Sequence, residues 1–188
     1  MSVRSIASAP SGRAAAALTL LTGAAVALGL GVYARVHHPA QRPLFLLGFS
    51  GMLQLKTWLT TAALLLVLVQ LLSALWMWGR LPGAGPSPGW LPPVHRWSGA
   101  VAFVITVPVA LHCLWALGLL TASPRVLAHG VFGCAFYGAY VAKMLGLRLR
   151  GLPGWTLPVL GGTVFALFVL LWATSALWFL TRSGVALL

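Results

Sequence analysis

Long apolar stretches follow one another along this chain, separated by basic residues or by a loop rich in proline and glycine. A helix of about 20 apolar residues crosses the roughly 30 Å hydrocarbon core of a bilayer. A helix also satisfies its own backbone hydrogen bonds, which an open sheet in lipid does not. The sequence therefore predicts an all-α, integral membrane bundle of five transmembrane helices. It forms a single transmembrane domain over residues 1–188, with spans at about 14–35, 56–79, 97–120, 124–147 and 157–181 and a Pro/Gly-rich loop at 79–94.

The charge balance excludes several classes of function. The chain has 12 Lys and Arg residues and no Asp or Glu. Without carboxylates it has no acidic general base, no Ser-His-Asp triad and no carboxylate cage for calcium or magnesium. The basic residues lie singly or in small groups beside the apolar spans. We therefore interpret them as flanks in contact with a lipid bilayer, and expect no binding of nucleic acid.

The same residues indicate an orientation. With the N-terminus in the cytoplasm, seven basic residues fall on the cytoplasmic side and five on the outer side, together the 12 of the chain. The excess of positive charge inside favours this arrangement. We predict a multi-pass protein of the cell (plasma) membrane, in which Ser123 caps the fourth helix and Pro124 is its first residue.

Two histidines lie inside predicted spans. His112 precedes the outer end of the third span by about seven residues, and His129 lies about five residues into the fourth, so both fall roughly 7–11 Å below one interface. A short loop joins these helices, which we expect to pack as an antiparallel hairpin. Imidazoles at matched depth on neighbouring helices predict ligation of a haem iron, and hydrogen bonding between helices is the alternative.

Neighbouring residues extend this candidate site. Gly133 leaves room for a flat macrocycle beside the fourth helix, and Phe136 can pack on its face. Arg125 lies one turn outward of His129, where it can pair with a haem propionate. Cys113 and Cys134 fall within apolar spans and are interpreted as buried free thiols.

The other histidines are secondary candidates. His37 and His38 lie at the outer end of the first helix, where they are an alternative haem ligand, part of an outer metal site or an interfacial flank. His95 lies at the inner end of the third helix with no histidine at matching depth. It caps its helix, or contacts a lipid or quinone headgroup.

The third and fourth spans also resemble a known class of cytochromes. HRWSGAVAFVITVPVALHCLWALG followed by RVLAHGVFGCAFYGAYVAKML is similar to the pattern of cytochrome b561-like and ferric-reductase-like membrane cytochromes. The resemblance implies that His112 and His129 ligate haem b, and that His95 matches a histidine that sometimes ligates a second haem. The long spacing from His95 to His112 departs from the ferric-reductase pattern. The whole chain further resembles a family of small uncharacterised actinobacterial membrane proteins, which implies no activity.

Three functions follow as hypotheses. The first is a b-type cytochrome-like electron-transfer protein, an electron-transfer subunit of an oxidoreductase system, with haem held between helices three and four near the outer face. Its partners would be quinol or an extracytoplasmic redox protein. The second is a non-catalytic subunit of a membrane complex, or an assembly factor, without cofactor. The third is a metal-binding membrane protein that uses the outer-face histidines.

Overall fold

The computed structural model describes residues 12–183, which are helical apart from their connecting loops and contain no strand. They form five continuous helices, three of which are α1 (Gly12–Val36), α2 (Met52–Met77) and α4 (Pro124–Gly146). The third helix consists of α3 (Leu91–Leu111) and a π-helical segment π1 (His112–Leu117). The fifth consists of α5 (Thr156–Trp172), a π-helical segment π2 (Ala173–Leu177) and α6 (Trp178–Ser183). The predicted all-α class is confirmed.

Four of these helices are long and apolar enough to cross a membrane, namely Gly12–Val36, Met52–Met77, Leu91–Leu117 and Thr156–Arg182. Many of their large apolar side chains are exposed on the surface of the bundle, as a lipid solvent requires. Helix α4 is not among the four, and it carries Arg125 and Lys143 together with four glycines. The chain is therefore a multi-pass membrane protein with four candidate spans among its described residues.

Prolines and glycines explain where the third and fourth helices begin and end. Helix α3 begins at Leu91 rather than near residue 97, because its first turn accommodates two prolines, whose missing N–H groups have no partner there in any case. Its π-helical extension ends before Gly118, which takes a left-handed backbone with φ of 67°. Helix α4 begins as predicted: the Ser123 side chain accepts a hydrogen bond from the Val126 N–H at 3.3 Å, and Pro124 follows the cap.

The helices pair differently from the expected hairpin of the third and fourth. Helix α1 packs along α4, α2 along α3, and α4 along α5, whereas α3 and α4 are not among the closely packed pairs of the described residues. Aromatic side chains hold these two backbones apart: Phe103 stacks on Tyr140 at 4.0 Å between ring centroids, and the Tyr137 hydroxyl donates to the Thr106 carbonyl at 3.0 Å. Space for a cavity remains between them.

One end of the bundle, which we call the distal end, carries loops 37–51 and 118–123 and both π-helical segments. A π-helical turn changes the intrahelical pairing of backbone groups, and such turns occur frequently at functional sites. In π1 the carbonyls of Trp115 and Ala116 accept hydrogen bonds from the amides of Ala40 and Gln41, at 3.3 and 2.9 Å. Loop 37–51 is thereby bound across the distal end.

Candidate ligand-binding cavity

A cavity of about 270 Å³ lies at the distal end between α2, α3, α4 and the fifth helix, and Leu30 and Ala34 of α1 also contribute to its wall. Its walls are almost wholly apolar, with leucine, valine, alanine and aromatic side chains from all the surrounding helices. Three basic side chains interrupt them: Lys56 from the beginning of α2, and Arg125 and His129 from the first two turns of α4. The cavity therefore combines an apolar body with positive charge at one end of a membrane-embedded bundle.

Arg125 is held in place by the fifth helix. One of its Nη atoms donates to the Thr174 carbonyl at 2.5 Å, and its guanidinium carbon lies 3.9 Å from the centroid of the Trp178 ring. Thr174 belongs to π2, so an altered helical turn presents the accepting carbonyl. A single backbone acceptor uses one of the five N–H donors of a guanidinium group. The others are available to an anion in the cavity.

His129 binds the same residue of π2. Its Nδ1 lies 3.1 Å from the Thr174 hydroxyl, and that hydroxyl donates to the Leu170 carbonyl at 2.7 Å. Because the hydroxyl proton is used in the helix, we assign it as the acceptor from His129 Nδ1–H. A neutral His129 then carries its lone pair on Nε2. Thr174 thus orients both Arg125 and His129.

Lys56 reaches the cavity from the opposite side. Its charge is close enough to act electrostatically on both His129 and Cys113. No residue in the described part of the chain accepts a hydrogen bond from its ammonium group. Since the whole sequence contains no Asp or Glu, this chain has no acidic side chain that could form a salt bridge with it.

Comparison with known families gives one match, which covers residues 16–187. The chain belongs to a family of unknown function, DUF6529. No curated protein and no solved structure matches it. This result agrees with the expected membership of an uncharacterised family, and it includes no similarity to cytochrome b561 or to ferric reductases.

In this member of DUF6529, the two histidines predicted to share a haem lie in different surroundings. His112 is completely buried but does not line the cavity that His129 lines. Its Nδ1 contacts the Pro108 carbonyl at 2.8 Å, and its Nε2 lies between the Leu44 amide at 3.3 Å and the Phe45 carbonyl at 3.0 Å. Both ring nitrogens therefore face backbone atoms. This arrangement does not fit a haem ligated by His112 and His129 together.

Gly133 and Phe136, the other predicted cofactor residues, do line the cavity with Arg125 and His129. Phe136 is buried in the core cluster with Ala63 and Phe168, so one of its roles is structural. A Cβ on Gly133 would lie 3.8 Å from Leu171, an ordinary contact distance. Gly133 thus lines the site, but no close contact requires a glycine at this position.

The secondary histidines do not line this cavity. His95 Nδ1 is 2.8 Å from the Ser73 hydroxyl, which links α2 to α3 at the opposite end of the bundle. His37 stacks on Tyr33, and its two ring nitrogens contact the carbonyls of Tyr33 and Trp115 at 2.8 and 3.1 Å. His38 is exposed. Among the described residues no group of three His, Cys, Asp or Glu side chains could hold a metal ion.

Sequence reasoning missed Lys56 and Thr174 as site residues. A lone lysine at the beginning of an apolar span is typical of a membrane flank, and this pattern hid its second role. Thr174 is 45 residues from His129, and its position depends on a π-helical turn for which the sequence has no clear signal. Its polar character within an apolar span was the only available indication.

Proposed function

We propose that this protein binds an amphiphile with a negatively charged headgroup and an apolar body in the distal cavity. The observation that carries the proposal is that Lys56, Arg125 and His129 converge on one apolar cavity in a chain without Asp or Glu. A positive charge inside a membrane domain is costly unless it is paired. Because no side chain of this protein can supply the anion, a ligand is the natural source.

The chemistry of the site matches such a ligand. Arg125 offers planar N–H donors to a carboxylate or phosphate, while Lys56 offers a mobile ammonium group. His129 contributes a hydrogen-bonding ring whose orientation Thr174 holds. The apolar walls then accept the hydrocarbon part by burial, at about 0.8 kcal/mol per CH₂.

In this proposal α4 is the fifth transmembrane span, and the N-terminus is cytoplasmic. Helix α4 has 23 residues and runs between two candidate spans, α1 and α5, against which it packs. Membrane contact on the remaining sides is consistent with Lys143 reaching toward the headgroup region at one end. The distal cavity would then open toward the outer face.

Titration with oleate tests the proposal. Purified full-length protein in dodecyl maltoside is titrated with oleate or with its uncharged methyl ester, and bound ligand is counted by native mass spectrometry. We expect oleate to bind more tightly. Arg125→Gln should weaken oleate binding about tenfold or more, since a charge-assisted hydrogen bond contributes about 1.5–3 kcal/mol.

Arg80→Gln is the matched control, because Arg80 is exposed in the loop after α2 and does not line the cavity. Its affinity for oleate should equal that of the wild type. Equal binding of oleate and methyl oleate, or equal affinities for the Arg125 and Arg80 variants, would contradict a charge-selective site.

Electron transfer through haem b is the second candidate function. It is favoured by the presence of His129, Arg125, Gly133 and Phe136 around one cavity, although His112 faces backbone atoms elsewhere. An absorption spectrum of protein expressed with added haem, before and after reduction by dithionite, tests it. Low-spin haem b bands that disappear in His129→Ala would support this candidate, and a spectrum without them would exclude it.

A further inference from the structure

A second space lies beside the cavity, on the outside of the bundle. This groove, of about 470 Å³, runs between α1 and α4 and is lined by apolar or small side chains except for Arg35 at its distal end. Leu28 and Val32 of α1 border it and are 69% and 59% exposed, so this side of the bundle faces lipid. The groove therefore has the environment of an acyl chain.

Only a thin wall separates the groove from the cavity. Leu119 and Cys134 line both spaces. On α1, neighbouring residues line different spaces, since Leu30 lines the cavity and Gly31 lines the groove. A path from the bilayer to the charged end of the cavity is thus blocked only by a wall one side chain thick.

Leu119 is the movable part of this wall. It follows Gly118, whose left-handed backbone ends the third helix, and its amide donates to the Ala34 carbonyl at 2.7 Å. Its side chain lies over Gly130: a Cβ at that glycine would be 2.7 Å from Leu119 Cδ1. Because Leu119 belongs to a loop, its side chain can change rotamer without moving a helix.

We infer that the cavity exchanges its ligand with the bilayer through this wall, with Leu119 as the gate. The inference rests on the proposed function and names the ligand's source: an anionic, chain-bearing lipid of the surrounding membrane. A cavity of about 270 Å³ is smaller than the 300–1,000 Å³ usual for small-molecule sites. Part of the lipid's acyl chain must therefore lie outside the cavity. The groove provides that space.

Charge supports the same occupant. Arg35 at the distal end of the groove attracts an anionic headgroup at the membrane surface. Lys56 and Arg125 then hold the headgroup once it has passed Leu119. A lipid whose headgroup lies in the cavity and whose acyl chain remains in the groove occupies both spaces at once.

The native cysteines allow a test that needs no bound ligand. Cys113 lines the cavity but not the groove, so in a Cys134→Ser background its labelling reports access to the cavity. The protein, in phosphatidylcholine vesicles, is reacted with membrane-soluble N-phenylmaleimide or with water-soluble sulfonatoethyl methanethiosulfonate. Leu119→Ala should accelerate the maleimide reaction about tenfold, equivalent to about 1.4 kcal/mol of barrier, and Leu119→Trp should slow it.

Neither substitution should change the rate with the water-soluble reagent by more than about twofold, a barrier change of about 0.4 kcal/mol. Leu127→Ala, on an exposed leucine of α4 that lines neither space, is the matched control and should leave both rates unchanged. Gly130→Ala is a second variant with intact Leu119, and it should accelerate the maleimide reaction by displacing that side chain.

Maleimide rates that do not depend on residue 119, or that change in parallel with those of the water-soluble reagent, would overturn the lateral route. Because labelling is independent of oleate binding, the two proposals fail separately. If oleate binding is not charge-selective but the maleimide rate still depends on residue 119, the proposed function is refuted and the role of Leu119 as a gate is supported.

Discussion

A close approach of two helices makes a quantitative prediction. Helices α1 and α4 meet at Gly23 and Gly138, where a Cβ on Gly23 would lie 2.7 Å from the Gly138 carbonyl oxygen and 2.9 Å from Ala142 Cβ. Contacts between carbon and a carbonyl oxygen are usually about 3.3–3.6 Å. Gly23→Ala therefore requires the backbones to separate by roughly 0.6 Å or more.

Overpacking of this kind costs about 1–3 kcal/mol, a roughly 5- to 150-fold change in the unfolding equilibrium. Alanine also favours a helix over glycine by about 1 kcal/mol, which would mask part of the cost. Gly29→Ala corrects for this, because Gly29 lies on the same helix and its Cβ would meet nothing within 4 Å. The difference between the two variants isolates the packing term.

The assay is equilibrium unfolding in mixed detergent micelles with increasing SDS, followed by circular dichroism. Gly23→Ala should unfold at lower SDS than Gly29→Ala. Adding Gly138→Ala to Gly23→Ala should cost less than the sum of the single effects, since both methyl groups enter one gap. If Gly23→Ala is as stable as Gly29→Ala, α1 and α4 do not approach as closely as the structure has them.

Two further predictions concern the loop at the distal end and the hydrogen bonds that link α2 to α3 at the other end of the bundle. His112→Ala removes the acceptor of the Leu44 amide and the ring contact with Phe45, two of the contacts that hold loop 37–51. Amide hydrogen exchange at residues 40–45 should therefore accelerate about tenfold or more, as expected when opening becomes about 1.4 kcal/mol easier. His38→Ala, at an exposed position, should leave that exchange unchanged. Gln70→Leu removes two hydrogen bonds from α2 to the first turns of α3, including one of 2.8 Å to a serine hydroxyl. It should lower unfolding stability in SDS by about 0.6–1.7 kcal/mol, and a neutral effect would mean that these bonds are replaced in the variant.

Much of the fold could be predicted because apolar length and capping chemistry act locally. The all-helical class follows from long apolar runs, and the beginning of α4 follows from a serine cap and a proline at the first position. The early beginning of α3 was missed because Pro92 and Pro93 suggested a loop. Prolines break a helix interior but are compatible with a first turn, and local sequence does not distinguish these cases well.

The candidate site was predicted only in part, because the depth of a residue in the membrane does not determine which way its side chain points. Equal distance from an interface suggested that His112 and His129 face each other, yet the rotation of each helix decides where a side chain points. The His112 ring is directed to the backbone of loop 37–51, which covers it, whereas the His129 ring is directed to Thr174. Arg125 and His129 lie together because they occupy one face of α4, four residues apart, which is the part that periodicity does determine.

The π-helical segment π2 also affects how the distal end responds to a change in chain length. A π-helical turn contains one residue more than the α-helical path around it, so deleting a single residue from Ala173–Leu177 restores α-helical geometry. The helix on either side of the deletion would keep its faces, because the π-helical turn already accommodates the extra residue within one turn. Only the segment that carries Thr174 would change, and with it the carbonyl that Arg125 binds and the hydroxyl that His129 binds. The number of residues in this segment therefore controls the orientation of both basic side chains separately from the packing of α5.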